Sequence, residues 1–470
     1  MAIRKDQERA SIVSVQSNNM KDSPNDTFLT EVKRSGRVFY PIGYGADPTG
    51  VADSSDAILS ALQDAFQVQN TRHLLPGIND LGGVVIDLQG GDYKITKPIR
   101  FPSSGGGNLV IEGGTLRASD TFPKDGYLIE LHHSSSARLD PAATLAGRRL
   151  AATLGVYYED ITFRDILFDA SFRGGGLLVV ASVRTRVDHC FFNHFVTDGI
   201  LVEGGHETFI SSSFLGQHMT IGGDPRERYF SGTAINLASN DNAVTDVAVF
   251  SAAVGLLLRG QANILTGVHC YNKATFWGGV GILVKLPGLS QTRLDNCYMD
   301  FTAIVLEDPV QVTITNGFFL GDANVVLRSV KGEISGLTIV DNMFSGGSGG
   351  TPIVKLDESK AKFGRFDQVV IDRNVVTNMA LKSTVGRLTV VGNGTRWSAD
   401  FGPLLVFPDL ISHVEYSLLV RNRTGVGLPA HAVTGVGNNT VVVEANEAVD
   451  GVVSVVVDQY FAPGEKKIYG

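Results

Sequence analysis

Thr292-Arg-Leu-Asp-Asn-Cys-Tyr-Met299 is echoed by Val312-Thr-Ile-Thr-Asn-Gly-Phe-Phe319, by Thr338-Ile-Val-Asp-Asn-Met-Phe344 and, upstream, by Thr185-Arg-Val-Asp-His-Cys-Phe-Phe192. Each stretch alternates, then sets His or Asn, a small or sulfur-bearing residue and an aromatic. A turn follows, then a second apolar run. These second runs align as Gly199-Ile-Leu-Val-Glu203, His218-Met-Thr-Ile-Gly222, Ala234-Ile-Asn-Leu-Ala238, Gly255-Leu-Leu-Leu-Arg259, Gly281-Ile-Leu-Val-Lys285, Ala303-Ile-Val-Leu-Glu307 and Asn324-Val-Val-Leu-Arg328. Their starts lie 16 to 26 residues apart. Short strands at a period of roughly 20–25 residues, with no helical pattern between them, imply a solenoid. Two strands per repeat favour an all-β, right-handed parallel β-helix. Interior residues then stack on their counterparts about 4.8 Å away.

Two columns follow from this register. Asn296, Asn316 and Asn342 are expected to share one position and to form a ladder of side-chain amides serving turn backbone groups. Cys190, Cys270 and Cys297 each follow His or Asn and precede Phe or Tyr. All three are expected at one coil position, as small buried hydrophobes. No CxxC occurs, so no metal site and no cofactor is expected.

Composition agrees with a repeat. Glycine is 54 of 470 residues, well above the average of about 7%. Charged residues are 19% and hydrophobic ones 43%, which excludes disorder for most of the chain. Three cysteines exclude a disulfide-stapled scaffold. The net charge of −8 argues against nucleic acid as a partner. No apolar run approaches the ~18 residues of a membrane span. The polar stretch Met1–Arg9 lacks the apolar core of a signal peptide. Secretion therefore implies a removed leader, and the sequons at Asn25, Asn393, Asn422 and Asn438 are compatible with it.

Three regions are expected. Residues 1–37 are polar and aperiodic and read as a flexible arm. Residues 38–398 carry the β-helix. A helix opens at Asp53-Ser-Ser-Asp56 with Ser54 or Ser55 as cap, turns Ile58, Leu62, Ala65 and Phe66 to one side, ends near Gln69 and covers the first coil. Residues 399–470 are valine-rich, lack the repeat and are expected to form a small β region over the far end.

Sites on a solenoid are grooves on outward strand faces, and long grooves suit polymers. The fifth residue of each second run gives Glu203, Gly222, Ala238, Arg259, Lys285, Glu307 and Arg328. This column reads either as a cationic track for an anionic polymer, with Arg259 and Lys285 in it, or as a ladder of exposed ion pairs. The charged excursion Gly222–Gly232 adds Asp224, Arg226 and Arg228 as a groove wall. Carboxylates and imidazoles cluster on the same coils, among them Asp198, Glu203, His218, Asp224 and Asp241. Glycosidic cleavage needs two carboxyls, about 5 Å apart for retention or ~6.5–9.5 Å for inversion. Asp198, just before a second run, leads the candidates. The pair His132-His133 is taken as exposed loop.

Tyr44-Gly-Ala-Asp-Pro-Thr-Gly-Val-Ala-Asp-Ser-Ser-Asp-Ala-Ile58 resembles the opening motif of pectate-lyase-superfamily β-helices. With Leu81-Gly-Gly-Val-Val-Ile-Asp-Leu88 and the coils from Phe191 to Gly260, residues 38–395 resemble the plant polygalacturonases of the quartet type. The resemblance implies a single-stranded, pectin-lyase-like β-helix. It also implies a secreted, monomeric cell-wall hydrolase that cleaves α-1,4-galacturonan with inversion during pollen tetrad separation. Polygalacturonases carry Asn-Thr-Asp, Asp-Asp, Gly-His-Gly and Arg-Ile-Lys motifs. Val196-Thr-Asp198 matches the first with Val for Asn, Gln217-His218 stands at the second, Ser231-Gly-Thr233 at the third, and Arg259 keeps the last cation of the fourth. Alternatively, Gly216-Gln-His218 aligns with Gly-His-Gly. The implied machinery is Asp198 with Asp224 or Asp241 as acid and base and His218 tuning them. Arg226, Arg228, Arg259, Lys285 and Glu203 line the substrate track. A polysaccharide lyase and a non-catalytic pectin-binding β-helix are the competing readings.

Overall fold

The computed structural model describes residues 32–70, 74–133, 155–218, 230–271, 278–347, 349–421 and 427–465. The excursion residues 219–229, with Asp224, Arg226 and Arg228, lie outside this set, as do 1–31 and 134–154.

The chain winds into a parallel β-helix, with three strands per coil instead of two. A coil runs from a long strand such as Asp198–His206 through Phe209–Ser211 and Phe214–Gly216 to the next long strand, Thr233–Asn240. Each strand pairs in parallel with its counterpart one coil on, for example Ile200 with Ile235, Val187 with Ile210 and Phe192 with Leu215. Three stacks result. The first holds the long strands. The second and third hold the two halves of each expected "first run", because that run bends in the middle.

The bend explains the Asn and His residues of the motif. His189, Ser212, Asp246, Asn296, Asn316 and Asp341 all have φ between 48° and 59°. This left-handed conformation turns the chain between the second and third stacks, and Asn and Asp tolerate it best among residues with a side chain. Asn296 and Asn316 are therefore bend residues. Asn342 is not their counterpart: Met343 pairs with Phe318, which places Asn342 in the column of Gly317 and Cys297. There it is fully buried, accepts from the Gly317 amide at 2.9 Å and donates to the Ile314 and Val340 carbonyls and to Asn374. A true amide ladder exists there, and a second links Asn242 to Asn263 at the turn out of the first stack. The cysteine column is corrected likewise. Cys190 and Cys297 share a position, but Cys270 pairs with Met299, two residues further along. All three are buried free thiols.

Of the run expected at His218–Gly222, residues 219–222 lie outside the described residues; Asp198–His206 pairs directly with Thr233–Asn240.

One continuous core fills the solenoid, with aromatic pairs stacked across coils, such as Phe168 on Phe192 at 4.4 Å and Phe319 on Phe344 at 4.3 Å. The N-terminal end is closed by the helix Ser55–Ala65, shorter than expected, whose Ile58, Leu62 and Ala65 join that core. Its first-turn amide at Ser55 is held by the Asp53 carboxylate at 3.1 Å, while the Ser54 hydroxyl turns away to accept from the Asp47 amide. Arg34–Ser35 already pairs antiparallel with Val38–Phe39, inside the stretch read as an arm. At the other end the antiparallel sheet begins at Val385, so it takes in Val385–Asp400, which the repeat count leaves in the solenoid. Phe407, from the segment joining two strands of this sheet, packs on Phe366 at 4.4 Å and belongs to the solenoid core. Lys382 fastens the same segment by donating to the Pro403 carbonyl at 2.8 Å, with the Gly402 and Leu405 carbonyls beyond.

These two asparagine roles separate on mutation. Asn342→Ala strands the buried Gly317 amide and is expected to cost about 1–3 kcal/mol, read as a lower unfolding midpoint. Asn316→Gly keeps the left-handed bend and is expected to leave that midpoint unchanged or slightly raised.

Candidate active site

The outward face of the first stack carries the candidate residues. Asp198 opens its strand, and Gly199 after it faces the next coil so closely that a Cβ would sit 2.7 Å from the Ala234 carbonyl oxygen. The Asp198 carboxylate is held from both sides. Tyr127 Oη donates to Oδ2 at 2.8 Å, and Asn236 Nδ2 donates to Oδ1 at 3.0 Å. Asn236 Oδ1 in turn accepts from Arg259 Nε at 3.1 Å, and Arg259 Nη2 lies 3.7 Å from Glu203 Oε1. The amide of Asn236 therefore has only one orientation that serves both neighbours. The side chains of Arg259 and Glu203 are 17% and 13% exposed, so this pair lies in the floor of the face.

Tyr127 and Asn236 went unnoticed in the sequence. Asn236 did leave a signal. Its register partners are Leu201, Leu257, Leu283, Val305 and Val326, so it is the polar break in an apolar column. Glu130, in register with Leu178, is a second such break.

Lys285 is exposed and makes no ion pair among the described residues. Beyond it the column does pair up: Arg328 lies 3.5 Å from Glu307 and 2.9 Å from Asp357. The column is thus charge-paired at Glu203–Arg259 and again from Glu307 on, with Lys285 the exposed cation between them.

Asp241 is not brought to this place. It sits exposed in the turn after Thr233–Asn240, with φ of 59°. It lies eight residues past Thr233, the register partner of Asp198, which is about 25 Å at the ~3.3 Å rise of a strand. His218 is buried at the base of the excursion, its ring 5.4 Å from Phe172 and 6.0 Å from Phe230. Gln217 closes that base. Its Nε2 donates to the Phe195 carbonyl and the Ser231 hydroxyl, and its Oε1 accepts from the Ser231 amide. At the Asp-Asp position of the family motif, this chain therefore has a structural staple. On the adjoining turn His194 Nδ1 lies 2.7 Å from Asp169 Oδ1.

One further ionisable cluster borders the face. His132 and His133 are not free loop residues: His132 lies 3.4 Å from Glu130, and His133 stacks on Tyr157 at 4.0 Å. Hydrogen bonding to Glu130 pushes the His132 imidazole up. Burial pushes the Glu130 carboxyl up, but hydrogen bonds from His132, Arg100 and the Tyr127 amide outweigh it and hold it below its ordinary value.

No family model matches the chain. A polygalacturonase of Arabidopsis thaliana, QRT3, is 55% identical over 424 residues, covering 90% of this chain and 84% of the relative. The chain belongs to the polygalacturonase family. Among solved structures, ORF18 of Geobacillus virus E2 superposes with a TM-score of 0.51 at 13% identity, covering 87% of this chain and 76% of the other, which shows the shared fold. An endo-xylogalacturonan hydrolase of Aspergillus tubingensis superposes with a TM-score of 0.45 at 12% identity, over 73% of this chain and 95% of the other.

The Glu130–His132 pair sets a pH window. The raised His132 adds stability that is complete below its unfolded value of 6.5 and is lost as pH rises through its folded value. The lowered Glu130 adds stability present above its unfolded value of 4.5 and lost as pH falls through its folded value. Thermal melts should thus show His132→Ala costing more at about pH 5.5 than at about pH 9, and Glu130→Gln should erase that difference.

Proposed function

We propose that this chain is a secreted polygalacturonase that hydrolyses α-1,4-galacturonosyl linkages of cell-wall pectin as a monomer, with inversion, in pollen or microspore separation. The observation that carries the reading is the Asp198 carboxylate, clamped between Tyr127 and Asn236 with the Arg259 guanidinium on the far side of that asparagine. Family membership and the relative named a polygalacturonase support it.

In this proposal Asp198 is one member of the acid–base pair: one carboxyl gives its proton to the leaving glycosidic oxygen as the C1–O bond breaks, and the other takes a proton from the water that bonds to C1. Hydrolysis needs a second carboxyl for the attacking water, ~6.5–9.5 Å away for inversion. Gly175 and Thr233 flank Asp198 on the neighbouring coils, so neither neighbour supplies that group. Glu203 is committed to Arg259, and Asp241 is remote. Asp224 is the remaining candidate, on the excursion whose base Gln217 closes beside Phe195. Arg226, Arg228 and Lys285 bind galacturonate carboxylates by charge-assisted hydrogen bonds. Arg259 does so while Glu203 holds it in place, and His218 tunes the acids.

Defined oligogalacturonides, followed by NMR, test this. Asp198→Asn should lower kcat by about 10²–10⁴-fold, the usual worth of a positioned acid–base group, and Asp224→Asn by a similar factor. Inversion makes the β-anomer the first product. Turnover by Asp198→Asn equal to that of the parent would remove Asp198 from the mechanism. An unsaturated product absorbing in the ultraviolet would mean elimination, and tight binding without cleavage a non-catalytic role.

Asn236→Ala should separate positioning from chemistry. It releases both Asp198 and Arg259, so kcat should fall and KM rise together, whereas Asp198→Asn should lower kcat with little change in KM.

A further inference from the structure

The third stack has an outward face unlike the other two. Its strands bring Phe191, Phe214, Ala248, His269, Tyr298, Phe318 and Met343 into one register column, aromatic but for Ala248 and Met343, with Phe250 bridging the gap at Ala248. Phe250, Tyr271 and Asp300 stand in the column beside it. The rings touch from coil to coil: Phe214 to Phe250 at 4.6 Å, His269 on Tyr298 at 4.1 Å, Tyr298 to Phe318 at 6.1 Å. Yet the stripe is open to water, with Phe191 45%, Phe318 46% and Met343 46% exposed.

Charge is nearly missing from it. The seven strands from Phe191–Asn193 to Met343–Ser345 contain no Lys, Arg or Glu and one Asp, Asp300. Burial pushes the Asp300 carboxyl up and the His269 imidazole down, which favours the neutral form of both. The first stack, in contrast, presents Arg259 and Lys285.

We propose that this aromatic stripe is a second polysaccharide-binding surface, which takes an extended chain of uncharged sugars and anchors the protein away from the Asp198 face. Charge selects the partner. Nucleic acid and galacturonate polymers both need cations, and the stripe has none. Its size argues against a protein partner. Six coil steps at ~4.8 Å give a length of about 30 Å, and two side-chain columns give a width of about 10 Å, hence about 300 Å². A stable protein interface needs roughly 800 Å² per partner. A linear polymer one sugar wide fits such a strip. Aromatic rings with polar tips suit a ligand that is apolar on its C–H faces and hydroxylated at its rim. The centre of the stripe supplies those tips in Tyr271, Tyr298 and Asp300, while the His269 ring packs flat on Tyr298 at 4.1 Å and extends the ring surface.

Affinity electrophoresis of the full chain in gels containing hydroxyethylcellulose, fully methyl-esterified galacturonan or polygalacturonate tests the proposal. At least one uncharged polymer should retard the parent protein. Tyr298→Ala with Phe318→Ala should weaken that retardation by at least tenfold, and Tyr298→Phe, which keeps the ring, by less. Cleavage or binding at the Asp198 face, read with oligogalacturonides, should be unchanged in the same variants, so the two faces fail or succeed separately. Circular dichroism melts confirm folding of each variant. No retardation by either uncharged polymer, or equal retardation of parent and double variant, overturns the proposal. So does a concentration-dependent dimer, seen by light scattering, that the double variant abolishes, because the stripe would then join two copies of the chain.

Discussion

Each coil must return the chain to a point one strand spacing above where it began, in register, or the parallel hydrogen bonds of every later coil are lost. That closure depends on the left-handed bend between the second and third stacks. His189, Ser212, Asp246, Asn296, Asn316 and Asp341 hold it, each at a φ near 50°. The bend fixes which residues face inward and so builds a single core whose aromatic rings stack along the axis. It also converts sequence position into columns. A residue's chemistry then depends on its column and on the coils above and below it. The Asp198 cluster is such an object, with Tyr127, Asp198, Asn236 and Arg259 drawn from four coils of one stack and Tyr127 reaching Asp198 past Gly175 on the strand between them.

The repeat was legible because closure repeats. Alternating residues, an Asn or His, then an aromatic gave the stacking and the fold class. The number of strands per coil was not legible, since a left-handed residue leaves no mark in a polar–apolar pattern. The same blind spot placed Asn342 beside Asn296 and Asn316, and Cys270 beside Cys297. A one- or two-residue offset in a bend is invisible until pairing fixes it.

The candidate site was half legible: register put Glu203 and Arg259 in one column, and the place of Asp198 just before a second run put it at the head of its strand. Lys285 also lies in that column, unpaired among the described residues. Asp241 looked close because sequence distance counts coils and ignores travel along a strand. Tyr127 and Asn236 carry no charge signal in the sequence, because a tyrosine hydroxyl and an amide do not ionise near neutrality. A polar residue interrupting an apolar column, as Asn236 and Glu130 do, is the better signal on a solenoid.

Gln217 has a further consequence. One side chain, bonded to both margins of the excursion, makes the coil whole beneath it whatever the chain does above. Loop-closure entropy grows slowly, by about 0.6 kcal/mol for each doubling of length. Residues between the two margins can therefore be added, removed or exchanged at small cost to the solenoid. Such a joint lets the segment between its margins change in length or composition while the scaffold stays as it is, so closure of the coil and the chemistry of that segment are set by different residues.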